Sequence, residues 1–415
     1  MYPFSLRLIS AAALVLCALA HPNRSQTQNP ASLPPNVVSS SAGDLKVERL
    51  ATLEFPWGLA LLPDGRLLIT EKPGRLRIWA NGTLSGPVQG VPQVVYRNAP
   101  GEQGGLLDVE IDPDFARNQF VYLSYVEAAA QQAPDLGETP EMRFGDFLDL
   151  TDNIIRGGVV ARGKLAGNQL TDVQVIWRQI PKMVGRGHFG NRIVFAPDGK
   201  LFITSGERMR FEPAQNLGQN LGKVVRINPD ASNPADNPFA GKDKQLGDIW
   251  SYGHRNILAA AFDPSGRLWA FEMGPLGGDE VNLIEKGKNY GWPVVSNGDN
   301  YNNSFIPDHP FKKEFQAPVR TWTPVVSPSG ALFCKGTLFR GWDGSALVGG
   351  LSSQALVRLT FNGQRVASEE RIDMKRRIRD LVQAPDGSLL LIVDDKSGDL
   401  IRLSPAAASV QNRER

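Results

Sequence analysis

A tight-turn signature of Pro, then Asp or Ser, then Gly punctuates this chain and restricts its fold more than any other feature. It occurs at Pro63-Asp64-Gly65, Pro197-Asp198-Gly199, Pro264-Ser265-Gly266, Pro328-Ser329-Gly330 and Pro385-Asp386-Gly387, with a variant at Pro113-Asp114-Phe115. Proline presets φ, Asp or Ser bonds its own turn, and glycine takes the left-handed position. Apolar runs precede each signature and follow most of them, as with residues 59–62 and 67–70 around the first. Each unit therefore reads as a β-hairpin. Successive signatures lie 50, 84, 67, 64 and 57 residues apart, which suits four strands plus a variable loop. Six such units predict an all-β chain folded as a six-bladed β-propeller of four-stranded antiparallel blades, where radial repetition protects the sheet edges. The longest gap holds residues 127–165, polar and irregular with an acidic stretch at 138–152, and reads as an insertion on one face.

Composition agrees with a large closed β architecture. The 415 residues exceed one simple core, and 42 Gly with 30 Pro fit frequent tight turns. No strand–GxGxxG–helix unit is present, so nicotinamide and flavin cofactors are not expected. The segment Gly101-Glu102-Gln103-Gly104-Gly105 lacks the Lys-Ser/Thr of a phosphate-cradling loop. A net charge of +2 gives no support for nucleic acid or an anionic membrane as partner.

The N-terminus has the pattern of a secretory signal over residues 1–20: Arg7, an apolar run at 8–19, and the small-x-small site Ala18-Leu19-Ala20. The run is short for a membrane span, so periplasmic or secreted location is expected. Residues 21–43 read as a flexible leader, 44–405 as the propeller, and 406–415 as a disordered tail. Loss of the signal removes Cys17 and leaves Cys334 without an intrachain partner, in an apolar run that makes it a buried structural thiol.

The chemistry concentrates at strand ends. His188 sits among glycines in Gly185-Arg186-Gly187-His188-Phe189-Gly190, where it is either a general base or a hydrogen-bonded turn histidine. His254, at a strand start beside an arginine, reads as structural. Arg255 and Asn256 offer forked donors to a carboxylate, quinone or sugar oxygen. Gly274-Pro275 can turn two carbonyls toward one cation, and Glu280 with Tyr290 could belong to a second cation site. Lys335 follows Cys334, and Arg377 and Arg379 alternate about Ile378, so both guanidiniums can face one polyanion.

These residues resemble the glucose/sorbosone dehydrogenases, soluble quinoproteins that use pyrroloquinoline quinone (PQQ), and within them the bacterial aldose sugar dehydrogenases. The likeness spans residues 45–405 and rests on Phe55-Pro56-Trp57-Gly58, the segment 101–107, His188-Phe189-Gly190, Gly253-His254-Arg255-Asn256, Gly274-Pro275 with Asp279-Glu280, Asn289-Tyr290-Gly291-Trp292-Pro293, and Arg377-Ile378-Arg379-Asp380. The resemblance implies a six-bladed propeller that oxidises the C1 hydroxyl of an aldose to a lactone. In it His188 would be the base, with Gln103 and Arg255 orienting substrate and quinone. Asn256, Lys335, Arg377 and Arg379 would hold PQQ. Gly274 and Pro275 would ligate its Ca2+, and Glu280 and Tyr290 a remote Ca2+. A sugar and a quinone or dye-like electron acceptor would be the partners, and the protein a monomer or homodimer. One departure stands out: Gly187 occupies the position where the glucose dehydrogenase branch has an acidic residue, which leaves the imidazole less firmly oriented. Two other classes remain open, a propeller lactonase or hydrolase with Ca2+ on central carboxylates, and a non-catalytic carbohydrate-binding propeller.

Overall fold

The computed structural model describes residues 37–99, 101–132, 143–144, 147–148 and 154–406. The expected signal peptide, most of the leader, the bulk of the acidic segment and the tail beyond 406 lie outside the described residues. Six antiparallel sheets form the blades, five of four strands and a sixth of five, and a separate two-stranded ribbon pairs 143–144 with 147–148. Their innermost strands are Pro56–Leu61, Leu106–Ile111, Gly190–Phe195, Ile257–Phe262, Pro328–Phe333 and Ile378–Gln383. Each packs against the next, and the last returns to the first, so the sheets close into a ring. The six-bladed propeller read from the turns is the fold.

Closure corrects the leader boundary. Val37–Ser40 pairs with Gly43–Leu53, which pairs in turn with Gly398–Pro405. The N-terminal strand thus completes the sheet begun by the C-terminal ones, and the blade takes in Val37–Ser40, which the leader reading excluded. The cause is apolar alternation: Val38, Leu45 and Val47 are buried with Leu389, Leu391 and Leu403. A second seam, Leu53, Leu59, Ile69, Leu390 and Ile392, joins the first and sixth blades. Burying such side chains contributes roughly 1.5–3 kcal/mol each.

Five of the six turn signatures lie between the first two strands of a blade. Pro328-Ser329-Gly330 does not. It begins the innermost strand of the fifth blade, which runs on to Phe333, and the hairpin turn follows at 334–345. A bulge between Pro328 and Ala331 absorbs the Pro-Ser-Gly step. The insertion is also narrower than expected, because Arg156–Ala166 is a full strand of the second blade. Its Val159, Val160 and Ala161 are buried.

At the centre of the ring one side chain meets every blade. The Arg192 guanidinium bonds Asp108 Oδ1 at 2.7 Å, Asp380 Oδ2 at 3.0 Å, the Ser329 carbonyl at 2.8 Å and the Leu258 carbonyl at 3.0 Å. It also lies 4.6 Å from the Trp57 ring. Those partners belong to blades two, six, five, four and one, and Arg192 itself to blade three.

Candidate active site

In each inner hairpin the turn lies on one rim of the ring and the open end on the other. Residues just before a first strand and just after a second therefore share the open-end rim. There the Lys72 N–H donates to the Phe55 carbonyl (3.0 Å), Met273 to Asn256 (3.2 Å), Leu351 to Ser327 (3.0 Å) and Asp394 to Arg377 (2.8 Å). Together these ends enclose a well of about 450 Å³, walled by Phe55, Trp57, Tyr96 and Phe189 and lined by Lys72, Gln103, Arg377 and Arg379. Flat aromatic walls and a cationic floor suit a planar polyanion.

Arg377 and Arg379 share one carboxylate, Asp394, at 2.8 and 2.9 Å. Burial alone would raise that carboxyl, but the two guanidiniums hold it well below the usual carboxylate range. The sequence expectation that both arginines face one side is met by their joint place in the well. Lys335 is elsewhere. It follows the closed end of its strand, is exposed, and lines a separate cavity of about 870 Å³ at the opposite rim. The misplaced turn explains the error: a turn at 328–330 would have returned Lys335 to the open-end rim, whereas the real strand carries it away. Lys72 is the lysine that the well contains, at 9% exposure.

His188 is held in a left-handed conformation, φ 51°, a rare state for a residue with a β-carbon and one found where function tolerates strain. The loop carrying it is gripped by Arg208, whose guanidinium donates to the carbonyls of Gly187 at 2.9 Å and Gly185 at 2.6 Å. Its Nδ1 lies 2.5 Å from Glu207 Oε1, and both side chains are buried. Glu207 is itself fixed by the N–H groups of Phe211, at 2.9 Å, and Arg210. The orienting carboxylate absent at Gly187 is thus supplied by Glu207, a residue the sequence reading missed. Burial and then Arg255 lower the His188 pKa, and Glu207 partly offsets them, so the imidazole is neutral at pH 7.

Gln103 accepts the His188 N–H at 2.9 Å through Oε1. Asn256 Oδ1 accepts the Gly190 N–H at 3.1 Å, which joins the third and fourth blades beside the base. Arg255 donates to the carbonyls of Met273 and Gly274 at 3.1 and 2.8 Å and to the Tyr301 hydroxyl at 3.1 Å. His254 is fully buried between Ser251 and Glu272 and stacks on Tyr290, in agreement with a structural role.

Gly274, Pro275, Glu280 and Tyr290 all border one small cavity of about 10 Å³, room for roughly one ion. The sequence reading divided them between two cation sites. The Tyr290 hydroxyl is committed, donating to the Leu283 carbonyl and accepting from the Glu285 N–H, so only its main-chain oxygen could face a cation. Burial, then the neighbouring Glu272, raise the Glu280 carboxyl. A divalent cation there would relieve both effects. Among the described residues no three His, Cys, Asp or Glu side chains converge as ligands. A hard cation would therefore draw on main-chain oxygens, which the Gly274-Pro275 turn can offer.

A well assembled from the open ends of the inner hairpins, beside a buried His–Glu pair, marks a six-bladed propeller with a composite cavity on one rim. A family model described as Glucose / Sorbosone dehydrogenase matches residues 53–402, and the chain belongs to that family. The aldose sugar dehydrogenase YliI of Escherichia coli (strain K12) is 38% identical over 364 residues, covering 85% of this chain and 91% of that protein. The crystal structure of the soluble Escherichia coli aldose sugar dehydrogenase in its apo-form aligns with a TM-score of 0.77 at 36% identity, over 87% of this chain and 100% of that one. The PQQ-bound form of aldose sugar dehydrogenase from Streptomyces coelicolor aligns with a TM-score of 0.65 at 27% identity, over 90% of this chain and 99% of that one.

Proposed function

We propose that this protein is an exported quinoprotein dehydrogenase that oxidises the C1 hydroxyl of aldose sugars to lactones, with PQQ and Ca2+ as cofactors and a quinone or dye-like compound as final electron acceptor. The observation that carries the reading is His188, oriented by the Glu207 carboxylate and bonded through its N–H to Gln103, a lining residue of the well that holds Arg377 and Arg379 against aromatic walls. Bound PQQ supplies the hydride-accepting carbonyl and Ca2+ the Lewis acid that polarises it. Export rests on the N-terminal signal pattern, and no helix among the described residues is long and apolar enough to cross a membrane.

The chain's own part follows from its hydrogen bonds. Glu207 accepts from Nδ1, which fixes the proton there and leaves the Nε2 lone pair to take the sugar hydroxyl proton. As the imidazolium forms, the same carboxylate stabilises its charge. Gln103 spends its carbonyl on the His188 N–H and keeps its amide N–H groups for a substrate oxygen. Asn256 likewise keeps Nδ2 as a donor. Gly274, Pro275 and Glu280 are the residues that would hold Ca2+. The lactonase alternative needs free carboxylates at the channel centre, but Asp108 and Asp380 are bound to Arg192 there.

The test is reconstitution. Apoprotein supplied with PQQ and Ca2+ should reduce a dye in the presence of aldoses, and a chelator added before PQQ should lower that rate at least about tenfold, the loss of one charge-stabilising partner. Absence of both dye reduction and any quinone absorbance change with every aldose defeats the proposal.

Glu207→Gln should lower kcat by about 10²–10⁴, the range for loss of a base-orienting carboxylate. Glu207 raises the His188 pKa, so its removal should also move the acid limb of the kcat/KM profile to lower pH. A limb that stays in place, or moves upward, contradicts the assignment of the pair.

A further inference from the structure

We infer that Lys72 is the third cation of the cofactor clamp, joining Arg377 and Arg379 in the wall of the well and making cofactor uptake depend on pH. The inference rests on the PQQ reading above, and a tricarboxylate needs more positive charge than the two arginines leave. Asp394 binds both of them and cancels one charge, so the pair offers a net of about one. Lys335 makes up none of the difference, since it lines the other cavity.

Lys72 occupies the right place for a different topological reason. It directly follows the second strand of the first blade, Leu67–Glu71, and faces Phe55, the residue just before the first. Its ammonium donates to the Glu102 carbonyl at 2.6 Å and lies 5.8 and 5.6 Å from the centroids of Phe55 and Tyr96. An ammonium has three donors, and among the described residues Glu102 takes one, so two remain for a carboxylate. The two rings present π faces to the charge, which favours the head at the wall of the well.

The charged and titratable groups facing Lys72 come from several blades: Arg377, Arg379 and Asp394 from the sixth, Glu102 and Tyr96 from the segment before the second. Arg379 and Arg377 hold the Asp394 carboxyl well below the usual carboxylate range. Glu102 is paired with buried Arg156 at 3.1 Å, and burial raises the Tyr96 phenol above its ordinary value. Lys72 is therefore the group in this set that changes charge between pH 7 and 9.5. Burial, then Arg379, bring it down to about 8, with Asp394 and Glu102 opposing. An anionic ligand favours the protonated form, so affinity should fall as pH rises through that value.

The experiment titrates apoprotein with PQQ at pH 7 to 9.5, following quenching of tryptophan fluorescence, to which Trp57 in the well wall contributes. Wild type should lose about tenfold in affinity per pH unit above 8, as one proton is lost. Lys72→Met should bind about 10–100-fold more weakly at pH 7, the range for a hydrogen bond to a charged group, and should lose the slope. Lys72→Arg should bind at pH 7 and stay flat to 9.5, because a guanidinium does not titrate there. A Lys72→Met protein that melts like wild type but keeps both affinity and slope overturns the inference. So does a Lys72→Arg protein that retains the wild-type slope, even where the methionine variant fails to fold. Wild type that binds no PQQ at any pH overturns the cofactor reading itself, a separate outcome.

Discussion

His188→Ala is expected to abolish turnover, with kcat reduced by about 10³–10⁴, while PQQ still binds. The loss should be large because the variant removes a positioned base and leaves Glu207 as an unpaired buried carboxylate where the imidazolium would form. PQQ binding should survive because His188 belongs to the third blade, whereas Arg377, Arg379 and Lys72 belong to the sixth and first. Single-turnover absorbance of PQQ-loaded protein after sugar addition separates the two effects. Normal reduction of the quinone in the variant would remove His188 from the chemistry. Failure to bind PQQ would instead make it a structural element of the well.

Arg192→Met should have the largest effect on stability, about 3–5 kcal/mol, read as a fall in the denaturant midpoint. The arginine is a poor bargain by area alone, since burying a guanidinium is costly. Its removal costs more because Asp108 and Asp380 would remain buried without a cation. Each carboxylate also accepts a main-chain N–H, Ile193 to Asp108 at 2.7 Å and Leu59 to Asp380 at 3.0 Å, so neither can turn to water. Adding Asp108→Asn and Asp380→Asn to the variant should recover much of the loss, because neutral amides can stay buried at lower cost. A triple variant no more stable than the single one would show that the arginine acts through its carbonyl and Trp57 contacts instead.

The two expectations illustrate one division of labour. Charge at the centre of this ring is paired at Arg192, whereas the ammonium of Lys72 in the proposed cofactor well bonds one carbonyl. Both rims are built from the same hairpins, yet only the open ends combine a well with a buried histidine and carboxylate. The turn rim carries the short Pro-Asp-Gly connections, whose backbone is committed to the turn itself.

Much of this was legible in the chain. Period-2 alternation and the six punctuating signatures indicated the number of blades, and the local chemistry of Arg377-Ile378-Arg379 placed two cations on one face. Even Glu207 was within reach. Pairing outward from the Pro197-Asp198-Gly199 turn sets Ile193 opposite Ile203 and, after a one-residue register shift, Gly190 opposite Ser205, and two residues further out His188 meets Glu207. Lys72 could have been found the same way, opposite Phe55. Local patterns suffice for such features because hairpin register is set by the turn and the strands beside it.

What the sequence alone determined was the repeat and the residue types at each strand end. Only the tertiary structure decided which ends meet. The fifth blade turns at 334–345 rather than at 328–330, which sends Lys335 to the far rim, and the N-terminal strand joined the last blade across the whole length of the chain. Neither outcome has a local signature: the strand at 328–333 is selected by packing against neighbouring blades, and ring closure by the seam it buries. Convergence of six distant segments on one well is a property of the closed ring, which no window of the sequence contains.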